Sequence, residues 1–361
     1  MEQVILQGWR RLGRAPGTTV VVGFSGGPDS LALAIALARA APLGLCTPVL
    51  AHVDHRLRAG SGEDADRAGA LAAALGLPFH QLVLSRSPVL AHPGVGLEEA
   101  ARRERFAALV GLANGFPHAV IALAHHADDQ AETILLHLLR GAGPGAGAGM
   151  AEAREVRIPW WDDPAVPSSG ATIWRPLLGL SRDDLRCYRE RCRPGWTPVV
   201  DPSNDDERLR RNAVRHRLIP VIEGIVPGST GRLARFATLV AEEEDWLERL
   251  TAEALVRCRT PGGTLIAERL RDLPRPLRRR VVRTAIATSG HPPVLPSAGR
   301  TEAIVAAIER GRGGAVIEVG DGIVVRIGGG LVHIERIGRD VHGRTGGVSA
   351  TAIQGADGGY R

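Results

Sequence analysis

Lysine is absent from this sequence, so arginine supplies all 45 of its basic side chains. Alanine, glycine, proline and arginine are all used heavily, which is typical of a GC-rich genome and weakens an argument from charge alone. A net charge of +6 and an isoelectric point of about 10.0 nevertheless favour a polyanionic partner such as nucleic acid. Arginine can bind a phosphate through two parallel hydrogen bonds.

Cysteine is scarce, and no two of the four thiols have CxxC spacing; they are Cys46, Cys187, Cys192 and Cys258. This excludes the common zinc and iron–sulfur motifs and is typical of a reduced, cytosolic protein. No apolar run reaches the length that crosses a membrane. Residues 1–14 mix apolar residues with charged ones, unlike a signal peptide. We therefore expect a cytoplasmic protein with no membrane partner.

The length of 361 residues predicts two or three domains. In residues 18–140, apolar runs rich in β-branched residues alternate with runs of helix-forming residues. This alternation predicts an α/β fold, a doubly wound parallel sheet. In such sheets ligands bind beyond the carboxyl ends of the strands. The polar segments 25–30, 52–58 and 125–129 follow three predicted strands and should converge on one site.

The remaining chain predicts a second, smaller domain. We place the first domain at residues 1–217, a mainly helical domain at 218–336 and a flexible tail at 337–361. Residues 141–149 form a Gly/Ala/Pro run that we expect to be a mobile loop, and 174–178 are predicted to be a short strand. Residues 234–257 predict a long amphipathic helix, 275–286 a dense basic helix, and 315–335 a hairpin or small sheet. Capping boxes are predicted at Ser61 and Ser181.

A six-residue loop joins the first predicted strand to a helix; it consists of Ser25, Gly26, Gly27, Pro28, Asp29 and Ser30. Such a junction gathers unpaired backbone N–H groups and the positive end of the helix dipole, which suits a phosphate. Its glycines let the backbone approach the anion, and Asp29 can hold a magnesium ion. The loop lacks the Gly-Lys-Ser/Thr ending of the common ATP-binding P-loop.

Three further segments concentrate polar residues. Residues 97–106 predict a helix with Glu98, Arg102 and Arg105 on one face, an arrangement that surface ion pairs also explain. Residues 124–133 combine two histidines with three carboxylates at a strand end; these could position magnesium and an amine, or could only stabilise the helix dipole. After an acidic turn, Arg211 and Arg215 share a helical face that suits phosphate contacts, although solvated charge runs are common.

The loop SGGPDS resembles that of the N-type ATP pyrophosphatases, the PP-loop superfamily. With HVDHRLR, EEAARRERF, AHHADDQAETILLHLLRGAG and DPSN…RRNAVRHRLIP, it occurs in this order in the bacterial tRNA(Ile)-lysidine synthases. The resemblance spans about residues 20–220, and residues 234–335 more weakly resemble that family's helical tRNA-binding domain.

The resemblance implies an enzyme whose substrates are ATP with Mg²⁺, free L-lysine and the tRNA(Ile) with a CAU anticodon, without a tightly bound cofactor. ATP adenylates C2 of the wobble cytidine and releases pyrophosphate. The lysine ε-amine then attacks that carbon, giving lysidine and AMP. Nothing in the sequence excludes a homodimer.

The resemblance also assigns roles to individual residues. It implies ATP binding by Ser25, Gly26, Gly27, Pro28, Asp29, Ser30 and His52. It implies catalysis by Asp29, Glu132, Arg102, Arg105 and Arg211. Asp29 would bind magnesium, and Glu132 would either bind magnesium as well or deprotonate the lysine amine. It implies lysine binding by His125 and Asp129. It implies tRNA binding by Arg211, Asn212, Arg215, Arg278, Arg279 and Arg280.

Two competing interpretations remain open. A tRNA cytidine thiolase uses the same loop, but such enzymes carry paired cysteine motifs, which are missing here. A nucleotide-binding, RNA-associated module without catalysis would need none of the acidic and basic positions that the chemistry requires. Pyrophosphate release with and without lysine distinguishes all three.

Overall fold

The structure is a computed structural model that describes residues 1–56, 60–159, 161, 169–289, 294–311 and 313–337. The described chain forms two compact units, Met1–Trp246 and Leu247–Arg361. The domain bounds drawn from the sequence, 1–217 and 218–336, stay a prediction. From residue 338 onward, the predicted flexible tail lies outside the described residues.

The first unit has a six-stranded sheet with helices around it. Its strands are β1 (Thr19–Gly23), β2 (Thr47–Asp54), β3 (Phe79–Val83), β4 (Val120–Ala122), β5 (Ala153–Ile158) and β6 (Ser169–Trp174). Its helices are α1 (Glu2–Leu12), α2 (Pro28–Ala40), α3 (Ser61–Leu75), α4 (Pro88–Ala91), α5 (Leu97–Ala113), α6 (Ala127–Leu139), α7 (Arg182–Cys192), α8 (Arg210–Ala213) and α9 (Ile219–Ile225), followed by α10 (Ser229–Cys258), which contains the boundary with the second unit.

The strand order is β3-β2-β1-β4-β6-β5, and every neighbouring pair is parallel except β5 with β6. The predicted doubly wound, mainly parallel sheet is therefore confirmed. The chain runs outward on one side from β1 to β2 and on the other side to β4, so the order reverses between β1 and β4. At such a switch point the loops beyond the strand ends diverge and leave a crevice.

Strand β1 lies inside the sheet, between β2 and β4, and its three middle residues are apolar. The three valines of β1, Val20, Val21 and Val22, have no exposed surface, and the residues of α2 from Leu31 to Leu37 are buried against the sheet. A strand buried on both faces needs no polar alternation, which explains the continuous valine run. Burial of these residues holds β1 and α2 in place on either side of the loop that joins them.

The second unit packs helices on a small sheet. Its strands are β7 (Leu265–Ile266), β8 (Ala315–Gly320), β9 (Ile323–Gly328) and β10 (Leu331–Arg336), and its helices are α11 (Ala267–Arg271), α12 (Arg275–Ala287) and α13 (Ala298–Arg310). The sheet is antiparallel, in the order β7-β10-β9-β8. The small sheet predicted at 315–335 is confirmed. It also includes β7, at Leu265–Ile266, which the prediction of a mainly helical domain did not anticipate.

Three local predictions need correction. Strand β5 was missed, and the strand predicted to begin at Trp174 ends there instead. Ser61 is the first residue of α3 and not its cap, because Gly60 occupies the cap without a side-chain bond. The capping box of Ser181 with Asp184 is confirmed. Among the described residues, we find no helix that is both long and apolar enough to cross a membrane.

Candidate active site

The loop after β1 depends on the conformation of Gly26. Its φ of +74° is left-handed, and a Cβ there would lie 2.7 Å from Cγ2 of Val199. The Gly26 carbonyl accepts a hydrogen bond of 2.9 Å from the backbone N–H of Val199. Only glycine combines this conformation with so close a neighbour. The fold therefore requires glycine at position 26, and the predicted approach of this backbone to an anion stays a prediction.

Two hydroxyls close the loop onto the start of α2. Oγ of Ser25 lies 3.1 Å from Oγ of Ser30, and it accepts a hydrogen bond of 3.2 Å from the Gly27 backbone. Pro28 is in the first turn of α2, where a missing N–H costs nothing. The α2 N-terminus, with its positive dipole end, therefore opens beyond the carboxyl end of β1, where an anionic phosphate group is stabilised.

His52 lies near the carboxyl end of the adjacent strand β2. Its Nδ1–H donates to the Phe24 carbonyl at 3.1 Å, which couples this ring to the loop. Burial lowers the pKa of His52, so the imidazole is neutral near pH 7. Residues 57 and 58 of this predicted segment lie outside the described residues.

His126 stands at the centre of the polar cluster, with no exposed surface. It caps α6, and its Nε2 lies 3.5 Å from Oδ2 of Asp29 and 3.4 Å from Oδ2 of Asp129. Its Nδ1 lies 3.3 Å from Oδ2 of Asp128. Burial alone would lower the pKa of His126, but these three carboxylates outweigh it and raise the pKa to about 9. In the neutral ring, Nδ1 accepts a hydrogen bond of 3.3 Å from the Asp128 backbone N–H; when both nitrogens are protonated, His126 links Asp29 of the loop after β1 to α6 as a cation.

Asp129 and Glu132 are clamped by two arginines from a distant part of the chain. Arg211 donates from Nε to Glu132 at 2.8 Å and from a terminal nitrogen to Asp129 at 3.1 Å. Arg215 donates from Nε to Glu132 at 2.6 Å and reaches Asp129 at 3.2 Å. Glu132 has no exposed surface, and both of its oxygens accept these hydrogen bonds. Two buried carboxylates and two guanidiniums thus form one hydrogen-bonded cluster.

The two arginines lie where the helix changes its pitch. Arg211 is in α8, and Arg215 is in a π-helical turn, Val214–Leu218, that leads into α9. Such wide turns occur frequently at functional sites. Asn212 is buried and donates to the Asp206 carbonyl at 3.1 Å, which anchors the start of α8. Asn212 therefore supports the clamp, and its predicted contact with tRNA stays a prediction.

Further cations surround the cleft beyond β4 and β6. Arg102 and Arg105 lie on α5, and Arg105 is exposed although protein surrounds it on several sides. This surrounding protein and the neighbouring cations Arg102 and Arg211 lower the pKa of Arg105 to about 10. Burial, opposed by Asp129 and assisted by Arg175, lowers the pKa of His125 to about 3. A concentration of unneutralised positive charge destabilises itself unless an anion binds.

The sequence alone did not identify Arg175. This residue follows β6 directly and is buried, and burial together with Arg102 and Arg154 lowers its pKa to about 10. Like the other site segments, it comes directly after the carboxyl end of a strand. The misplaced strand at 174–178 concealed it, because that placement put Arg175 inside a strand.

The two predicted magnesium ligands fit the metal unequally. Among the described residues, no group of three or more His, Cys, Asp or Glu side chains could hold a metal ion. Magnesium needs few protein ligands when substrate phosphates supply the rest, and the carboxylate of Asp29 is one-third exposed beside the loop. Glu132 does not fit as a ligand here, since Arg211 and Arg215 occupy its oxygens. Its catalytic role stays a prediction.

The basic helix α12 of the second unit is largely ion-paired. Arg278 is buried and donates to the carbonyls of Leu270, Arg271 and Leu273 and to Glu309. Arg275 and Arg279 pair with Glu302. The expectation that Arg278 contacts tRNA does not fit this burial, and the helix does have carboxylate partners on α13. RNA contacts of Arg279 and Arg280 stay a prediction.

Two family models match the chain. The model described as a PP-loop domain matches residues 3–222, which include every site residue of the first unit. The model described as a TilS substrate binding domain matches residues 265–332 in the second unit. The first model therefore covers more than half of the chain.

Relatives described as tRNA(Ile)-lysidine synthases match much of the chain. That of Geobacter sulfurreducens is 39% identical over 277 residues, covering 75% of this chain and 55% of the relative. That of Salinispora tropica is 36% identical over 319 residues, covering 88% and 90%. That of Thermobifida fusca is 35% identical over 278 residues, covering 76% and 79%. The chain thus spans about half the length of some relatives and most of the length of others.

Proposed function

Because the chain belongs to the tRNA(Ile)-lysidine synthase family, we propose that it is an ATP-dependent ligase that converts the wobble cytidine of tRNA(Ile) to lysidine. The observation that carries the proposal is the convergence of the Ser25–Ser30 loop with the Asp129, Glu132, Arg211 and Arg215 cluster at one switch point of the sheet. This convergence supports a phosphate-binding loop beside an amine-binding carboxylate set, as the two half-reactions require.

In the first step, O2 of the cytidine attacks the α-phosphorus of ATP, and the bond to pyrophosphate breaks. The loop N–H groups, the α2 dipole and Arg102 or Arg105 stabilise the charge that develops on the phosphates. His52 lies beside the loop on the β2 side, where the adenosine would bind. Asp29 would hold the magnesium ion that accompanies the phosphates, and the ion would neutralise charge on the pyrophosphate.

In the second step, the ε-amine of free lysine attacks C2, and the C2–O bond to AMP breaks while the amine loses a proton. Neutral His125 and the Asp129 carboxylate lie at the carboxyl end of β4 to bind this amine. Glu132 can accept the proton only after Arg211 or Arg215 moves from its oxygens. We propose that phosphates of the tRNA draw these guanidiniums away, so that the carboxylates become available when RNA is present.

We place the reaction in the cytoplasm, where tRNA, ATP and lysine are found and where the four free cysteines stay reduced. The test combines purified protein, a tRNA(Ile) transcript with a CAU anticodon, ATP, Mg²⁺ and lysine. The tRNA should gain the mass of one lysine minus one water. A thiolase would give a product independent of lysine, and a binding module would release no pyrophosphate; either result would overturn the proposal.

A further inference from the structure

Arg175 is a buried cation that has no acidic partner among the residues that the structure describes. Its side chain is 6% exposed, and its N–H group at Nε has no hydrogen-bond partner among the described residues. One terminal nitrogen donates to the Ala151 carbonyl at 3.0 Å. In the part of the chain that the structure describes, no carboxylate lies within 4.0 Å of this guanidinium.

A buried positive charge lowers the stability of the fold unless an anion or hydrogen-bond acceptors pair with it. An unpaired buried ion forfeits its hydration, and the nearby cations Arg102 and Arg154 add repulsion. Arg211 and Arg215 show the alternative, since both are neutralised by Asp129 and Glu132. The surroundings of Arg175 therefore suit a guanidinium that binds an anionic ligand.

A specific latch keeps Arg175 in place. The side-chain amide of Gln130 on α6 donates to the Met150 carbonyl and accepts from the Met150 N–H, both at 2.7 Å. A Cβ on Gly149 would lie 2.5 Å from Oε1 of Gln130, so only glycine fits beside the latch. The next two carbonyls, of Ala151 and Glu152, accept from the side chain and the backbone of Arg175. Gln130 thus positions residues 150–152, just before β5, and these residues position Arg175.

The sheet order indicates which ligand Arg175 meets. The ATP-binding groups proposed above follow β2 and β1, whereas Arg175 follows β6, on the far side of β4. Adjacent strands are about 4.8 Å apart, so the ends of β1 and β6 are about 10 Å apart. Arg175 therefore lies on the side of the cleft opposite to the adenosine, where the second, polymeric substrate must approach.

We propose that Arg175 binds a backbone phosphate of the RNA substrate and that Gln130 is its positioning residue. This inference rests on the proposed function and extends it to residues that the sequence did not identify. A guanidinium that contacts phosphate selects the RNA and contributes little to ATP affinity.

The test measures binding directly, so it does not depend on turnover. We expect Arg175→Met to raise the Kd for the CAU-anticodon tRNA(Ile) transcript by about tenfold or more and to reduce its salt dependence. The Kd for ATP with Mg²⁺ should change by less than about twofold. Arg67→Met removes an exposed arginine of α3 and is the matched control for net charge. An unchanged tRNA Kd, or an equal loss of ATP affinity, would overturn the inference.

A double-variant cycle tests the latch. Gln130→Ala should raise the tRNA Kd in the wild-type background and have no further effect in the Arg175→Met background, because it acts through Arg175. Additive effects would refute the positioning role. If Arg175→Met does not fold, Arg175→Lys provides a second test. It keeps the positive charge but loses the paired N–H donors of the guanidinium, so it should still weaken tRNA binding. Wild-type protein that binds tRNA but never forms lysidine would refute the proposed function and leave this inference standing.

Discussion

Arg211 donates from Nε to Oε2 of Glu132 at 2.8 Å, although the two residues are 79 positions apart in the chain. The bond joins α8 to α6 and fixes the distance between the segment proposed to meet RNA and the helix proposed to bind lysine. Glu132 accepts from Arg215 as well, so its charge is shared by two guanidiniums. A residue considered from the sequence as a metal ligand or a base is thus also a structural anchor.

This pairing changes what Glu132→Gln should do. A buried ion pair that loses one partner leaves an uncompensated charge, which costs about 3–5 kcal/mol of folding free energy. We therefore expect the free energy of unfolding in urea to fall by about 3 kcal/mol. Lysidine formation at saturating substrates should fall by about a hundredfold or more. Turnover within a few-fold of wild type would show that Glu132 is structural alone.

The control for this variant removes the orphaned charge. In Glu132→Gln with Arg215→Gln, Asp129 still neutralises Arg211, so stability should recover in part while activity stays low. Adenylate accumulation in the same variants assigns the step. A trapped adenylate indicates that Glu132 activates lysine, whereas lost adenylation indicates that the clamp is needed for the first half-reaction.

The sequence predicted the first domain well because its signals are local. The valine run of β1 and the glycines after it each specify their own conformation, so the strand, the loop and α2 follow without knowledge of the rest. Strand β5 was not predicted because the adjacent Arg154 and Glu155 interrupt the alternation of polar and apolar residues. It also lies at the edge of the sheet, where strand propensity depends on context. Its pairing with β6 depends on tertiary context.

The convergence of the strand-end segments on one site was predicted, but the pairing of the charged side chains within it was not. Asp129, Glu132, Arg211 and Arg215 were all selected, but they were distributed among metal, lysine and RNA roles. Which side chains pair is decided by packing between segments about 80 positions apart, and no local pattern encodes that choice. The ion pairing of α12 with α13 was missed for the same reason.

Asp29→Asn should separate magnesium binding from folding. The side chain is one-third exposed, and among the described residues it forms an ion pair with His126 alone, at 3.5 Å. The melting temperature should therefore change little, while tRNA-dependent pyrophosphate release falls by about a hundredfold or more, because an amide binds magnesium poorly. Asp66→Asn, at an exposed position of α3, is the control. Near-normal pyrophosphate release by Asp29→Asn would refute the assignment.

The arginines of α12 should divide into structural and RNA-facing groups. Arg278→Met leaves three backbone carbonyls without their donor, so we expect a loss of unfolding free energy on the order of 3 kcal/mol. Arg283 is exposed, so Arg283→Met should keep the stability and lower the slope of log Kd for tRNA against log salt by about one unit. The reverse pattern would contradict this division.

The absence of lysine makes the alkaline titration of this protein a direct probe of His126. Its folded pKa of about 9 exceeds the ordinary value of 6.5, so its stabilisation is complete below pH 6.5 and is lost as the pH rises through 9. No lysine titrates nearby, and burial raises the pKa of Cys46 to about 11. Without ATP or Mg²⁺, the wild-type free energy of unfolding should decrease by an amount on the order of 3 kcal/mol between pH 6.5 and 9.5. His126→Gln should be less stable at pH 6.5 but show a flatter dependence, and equal slopes would mean that His126 is not the cation linking Asp29 to α6.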